Sequence, residues 1–84
     1  MPDAELRSRV QQRIEDGRLP LLRPERIEAG YGSEDKCCAC GEPIEPNKIE
    51  YEIAALDGQR LKFHFACYMI WQSECSRRLR APRR

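Results

Sequence analysis

The chain has 84 residues, 40% hydrophobic and 35% charged, a size at which an apolar core alone is marginal and a metal or cross-link is expected to help. Fifteen basic residues against fourteen acidic ones leave a net charge of +1, which argues against a protein held to nucleic acid by bulk charge. The first twenty residues carry eight charges and do not read as an export signal, and the longest apolar stretch, FACYMIW at 65–71, is too short to span a bilayer. A reducing cytoplasmic location with no membrane partner is therefore expected. There, an odd number of cysteines (37, 38, 40, 67 and 75) points to metal binding rather than to disulfides.

Three segments of one α+β domain follow in chain order. In residues 1–35, Asp3 is placed to cap an amphipathic helix in which Leu6, Val10 and Ile14 recur every fourth residue, with Gly17 as its stop. The two prolines and three glycines of GRLPLLRPERIEAGYGS predict an irregular, extended connector. Leu19, Leu21, Leu22, Ile27 and Tyr31 are too apolar for a free linker, so this connector is expected to wrap the following unit.

Residues 36–81 form that unit. Ile49, Tyr51 and Ile53 alternate with glutamates, and Leu61, Phe63 and Phe65 alternate with Arg60, Lys62 and His64, which predicts a β-hairpin around Leu56-Asp57-Gly58. A two-residue loop would mix apolar and polar faces. A three-residue loop with Gly58 left-handed sets Ile53 opposite Leu61, Tyr51 opposite Phe63, Ile49 opposite Phe65 and Glu52 opposite Lys62, and is the register expected. From Phe65 to Arg80 the absence of Gly and Pro predicts a helix burying Cys67, Trp71, Cys75 and Leu79, with Ile70 beside them. Pro82 cannot continue it, and 82–84 are a basic tail end.

Chemistry concentrates in KCCACGEPI (36–44) and FHFAC (63–67). Cys37-x2-Cys40 and His64-x2-Cys67 have the pair spacing of zinc sites, and a Cys3His set binds Zn2+ tetrahedrally. Two thiolates of a CxxC turn can face one ion because the chain reverses between them, and Gly41 suits the close approach of backbone to sulfur. Cys38 with Cys40 is the competing pair, and for His64 the competing role is a strand histidine pairing with Glu50. With four protein ligands no position is left for water or substrate, so one structural Zn2+ is expected, with no catalytic residues and no small-molecule substrate. Cys75 reads as an inert core thiol, and Cys38, next to Lys36, as an exposed, somewhat acidified bystander.

CCACGEPI, EYE and FHFACYMIW, together covering residues 36–72, resemble the zinc fingers of poly(ADP-ribose) polymerases and DNA ligase III, and also the first half of a LIM module. The 23 residues between Cys40 and His64 are nearer the LIM spacing. The chain as a whole is similar to short, stand-alone zinc proteins of bacteria. The resemblance implies a treble clef (a knuckle, a hairpin and a helix carrying the last ligand) with Cys37, Cys40, His64 and Cys67 as ligands. LIM-type modules bind proteins, whereas polymerase-type fingers read DNA breaks through basic surfaces; here Glu42, Glu45, Glu50 and Glu52 occupy that region.

Two functions follow as expectations. The first is a zinc-binding interaction module docking on a protein partner, with a regulatory role. The second is a nucleic-acid-binding finger using Arg77, Arg78, Arg80, Arg83 and Arg84, the cations that give residues 73–84 their positive charge against Glu74 alone. Tyr31, Tyr68 and Trp71 are the aromatic side chains a base could stack on, although the last two also suit a core.

Overall fold

A computed structural model of the chain describes residues 2–24, 26–55 and 58–80. Its elements are α1 (Asp3–Glu15), β1 (Ile27–Tyr31), β2 (Ile49–Ala54), β3 (Arg60–His64) and α2 (Phe65–Leu79). The strands form one antiparallel sheet in the order β1-β2-β3. α2 packs on β2 and β3, and α1 packs on α2.

α1 buries Leu6, Val10 and Ile14, the stripe its sequence spacing defines. Each such side chain removed from water contributes ~1.5–3 kcal/mol. Asp3 does not cap the helix through its side chain. Pro2 is the N-cap in extended conformation, and Asp3 is the first helical residue, where its negative charge favours the helix dipole. Gly17 ends the helix as expected. It is left-handed (φ 79°), and the amides of Gly17 and Arg18 donate to the carbonyls of Ile14 (3.1 Å) and Arg13 (2.8 Å), which closes a Schellman turn.

The connector is partly irregular and partly a strand. Leu19 is buried and Leu22 packs against the core, whereas Leu21, Ile27 and Tyr31 remain exposed. Residues 27–31, expected to be irregular, instead pair with β2 as β1. The Ile27-Ala29-Tyr31 alternation is a strand pattern, but Gly30 within it and Gly32 just after it read as breakers. Gly32 serves a different purpose. A Cβ there would lie 2.0 Å from the Glu45 carbonyl oxygen, so a glycine is required where the chain passes residues 44–45.

The hairpin has the three-residue-loop register. Ile53 faces Leu61, Tyr51 faces Phe63 and Glu52 faces Lys62. Gly58 is left-handed (φ 86°), and the Ala55 amide donates to the Gln59 carbonyl at 2.7 Å; Leu56 and Asp57 lie outside the described residues. The ladder ends at Glu50 opposite His64, because Phe65 already begins α2, so Ile49 does not pair with Phe65.

α2 buries Cys67, Tyr68, Ile70, Trp71, Glu74 and Cys75. Trp71 stacks on Phe63 (centroids 4.7 Å apart) and its indole N–H donates to the Pro20 carbonyl at 3.0 Å, tying the connector to the core. Leu79, expected to be buried, is 46% exposed. It borders a shallow hollow with Leu21, Leu22, Pro24 and Ala54 rather than the core. No helix among the described residues is long and apolar enough to cross a membrane.

Candidate metal centre

Two turns and one strand–helix junction build the site. The Gly41 amide donates to the Cys37 carbonyl (2.9 Å), and the Cys37 amide to the Glu42 carbonyl (2.9 Å), so the chain reverses over residues 37–42 with Gly41 left-handed (φ 80°). That reversal brings the Cys37 and Cys40 side chains to one side. The Cys38 amide donates to the Lys62 carbonyl at 2.8 Å and fixes the turn to the outer edge of β3. β3 ends at His64, and the chain turns into α2 there, which leaves Cys67 in the first helical turn, back towards the knuckle.

The potential ligand atoms of Cys37, Cys40, His64 and Cys67 all lie within 4.8 Å of one another. The His64 Nδ1 is 3.4 Å from the Cys40 Sγ and 3.8 Å from the Cys67 Sγ. In a tetrahedral zinc site with ordinary bond lengths, nitrogen and sulfur ligands are about 3.6 Å apart. These two nitrogen–sulfur spacings therefore suit a small cation. With Nδ1 facing the sulfurs, the matching tautomer carries its proton on Nε2. The three cysteines are buried, and the Ala39 amide donates to the Cys37 Sγ at 3.4 Å, a bond that supports a thiolate.

The thiols are electrostatically linked. The hydrogen bond from Cys67 outweighs burial and lowers the Cys37 thiol to about 4. The same bond, with burial and the neighbouring sulfurs, pushes Cys67 up, and burial raises Cys40. Three sulfurs this close cannot all ionise on their own, and a bound cation is what would permit it.

The two competing assignments do not match this geometry. Cys38 is outside the cluster, and the Glu50 carboxylate accepts from the Ser33 amide (3.0 Å) and hydroxyl (2.7 Å) rather than from His64. Cys38 is also not an exposed, acidified thiol: it is half-buried, and burial raises it. Cys75 is fully buried with its thiol 3.6 Å from the Pro20 carbonyl. α1 lies over the knuckle, where Arg9 donates to the Cys40 carbonyl at 2.9 Å. Sequence reading did not find that contact.

Three of the five arginines proposed for nucleic acid are engaged within the chain. Arg77 pairs with Glu74 at 2.6 Å, Arg78 lies 3.3 Å from Glu15 and 3.6 Å from Glu74, and the Arg80 Nε donates to the Ser76 carbonyl at 3.1 Å. Arg83 and Arg84 lie outside the described residues. Tyr68 and Trp71 are buried, so of the three aromatic residues only Tyr31 presents an open ring.

Glu74 itself was not singled out from the sequence. It is 1% exposed and accepts from Arg77, Arg7 (3.0 Å) and Gln11 (3.3 Å). Burial pushes its carboxyl up, but the hydrogen bonds from Arg77, Gln11 and Arg7, with the charge of Arg77, override this and hold it at about 2. Its place three residues after Trp71, on the buried face, was the signal available.

No family model, no curated protein and no solved structure matches the chain.

Proposed function

We propose that the chain is a zinc-stabilised interaction module, a treble-clef-like finger with one structural Zn2+ that docks on a protein partner. The convergence of Cys37, Cys40, His64 and Cys67 carries the metal reading. Three thiolates and one imidazole are a soft, borderline donor set that favours Zn2+ over Ca2+ or Mg2+. Protein groups would fill every position of a tetrahedral ion, and the only histidine would be committed to it, so the metal's role is to hold the fold rather than to activate water.

Support for docking comes from the surface. Ile49 and Phe65 are exposed and line an open hollow with Tyr51, Ala66, His64 and Lys48. Met69 is exposed on the same helix, one turn beyond Phe65. Large apolar side chains this close together on a small domain favour a protein-binding face. The pairing of Arg77 and Arg78 with acidic side chains disfavours the nucleic-acid alternative.

Two measurements test the reading. Metal analysis with Co2+ substitution should give one tetrahedral, thiolate-rich site per chain. The metal-replete chain should then show no salt-sensitive binding to duplex, nicked or single-stranded DNA, or to RNA, at two salt concentrations. Absence of a tightly held ion overturns the metal half, and salt-sensitive binding lost on deletion after Ser76 overturns the docking half in favour of nucleic acid.

A further inference from the structure

β1 is an outer strand of the sheet, and among the described residues its far side pairs with no other strand. The Gly32 amide donates to the Lys48 carbonyl at 2.9 Å, which fixes the phase of the β1–β2 ladder. By alternation, Gly30 and Glu28 turn their backbone groups towards β2, and Ile27, Ala29 and Tyr31 turn theirs outward. The strand contains no proline and its ladder no bulge, so the outward groups form an unbroken template for one more strand.

The side chains of the same three residues lie on the face shared with Tyr51 and Ile53. α2 packs on β2 and β3 and does not reach β1, which leaves Tyr31 78% exposed. Gly30 is the second observation. Its φ is not positive, and a Cβ there would meet nothing within 4 Å among the described residues, so neither backbone conformation nor their packing calls for a glycine in mid-strand. Something outside the chain would.

The geometry points to a second copy of this chain as that neighbour, with β1 pairing antiparallel to its counterpart across a two-fold axis at Ala29 to extend the sheet through both copies. In this register Ile27 lies opposite the other copy's Tyr31, and Glu28 lies opposite its Gly30. Apolar meets apolar, carboxylate meets glycine, and no like charges stand directly opposite. Glu28 and Gly30 form a non-hydrogen-bonded pair, in which Cα atoms approach to about 4.5 Å. The absent Cβ leaves room for the glutamate there. Arg60, 3.4 Å from Glu28, offsets the charge that two copies bring near the axis. Such self-complementarity is what a two-fold contact requires.

Five residues per copy make a small interface, so the dissociation constant should be on the order of 10–100 μM. Sedimentation equilibrium of the metal-replete full chain, from about 1 μM to 1 mM, reads it directly. Gly30→Glu sets like charges opposite each other twice and should weaken association about tenfold, and Gly30→Leu, which fills the space left for Glu28 without adding charge, should weaken it about threefold. Ala29→Pro removes an outward amide that β2 does not use, and should abolish the dimer while circular dichroism stays that of the wild type. A chain that is monomeric throughout this range would leave the edge to a strand of another protein and overturn the proposal. A dimer indifferent to all three substitutions would place the contact on another face, with the same effect.

Discussion

Replacing Glu74 by Gln isolates the one fully buried carboxylate among the described residues and gives a test of the α1–α2 interface. Glu74 is 1% exposed and bonded to Arg77, Arg7 and Gln11, with its carboxyl held at about 2 against an ordinary 4.5. That displacement corresponds to about 3 kcal/mol in favour of the folded state at neutral pH. Arg7 and Arg77 are 44% and 61% exposed, so solvent screens part of it, and Glu74→Gln should cost about 2 kcal/mol. The folded value lies below the unfolded one. The contribution is therefore complete above about 4.5 and is lost as pH falls towards about 2. Urea unfolding of both proteins at saturating Zn2+ should give a constant difference from pH 8 to pH 6. Metal release on acidification acts on both alike and cancels. A difference under about 0.5 kcal/mol, or one that shrinks across that range, would refute the assignment of Glu74 as an ionised, paired group.

Three other outcomes are expected. His64→Ala or Cys67→Ser should lose both metal and cooperative unfolding, since structural zinc supplies roughly 10–16 kcal/mol in small fingers, whereas Cys38→Ser should keep both; metal analysis and calorimetry decide, and the reverse pattern for Cys37 and Cys38 would displace the ligand set. Gly32→Ala drives a methyl into the Glu45 and Ile44 carbonyls, which are backbone and cannot swing away, and should lower the melting temperature by more than about 10 °C in a thermal scan. Trp71→Phe leaves the Pro20 carbonyl with only the weak Cys75 thiol as a donor and the Phe63 stack incomplete, and should cost about 2 kcal/mol by denaturant unfolding.

Much of the site was legible because its signals are local. CxxC and HxxC spacings define ligand pairs over four residues each, and the matching of apolar faces across the hairpin selects one register whatever the rest of the chain does. β1 was not legible, because the glycines in it and just after it carry two different demands: Gly32 answers a backbone 13 residues away, and nothing among the described residues calls for Gly30. Glu74 stayed hidden for a similar reason. Arg77 is a local partner, but Arg7 and Gln11 come from α1, and a glutamate in a helix gives no local sign of burial by a distant element. Leu79 shows the converse, since periodicity continues along a helix after the surface it would pack on has ended.

The docking of α1 on α2 also sets an order of events during synthesis. Arg7 and Glu74 meet across 67 residues of sequence, so the stripe of Leu6, Val10 and Ile14 emerges long before its cover. At the usual ribosomal pace the delay is roughly 3–13 s, long against the sub-microsecond to microsecond time in which a helix forms. Until α2 follows, the 13 residues of α1 are marginal as an isolated helix, and their apolar stripe has no cover. Truncations that remove Glu74 would make that passing exposure permanent, and should drive the chain to aggregation or proteolysis even where the knuckle and hairpin are intact.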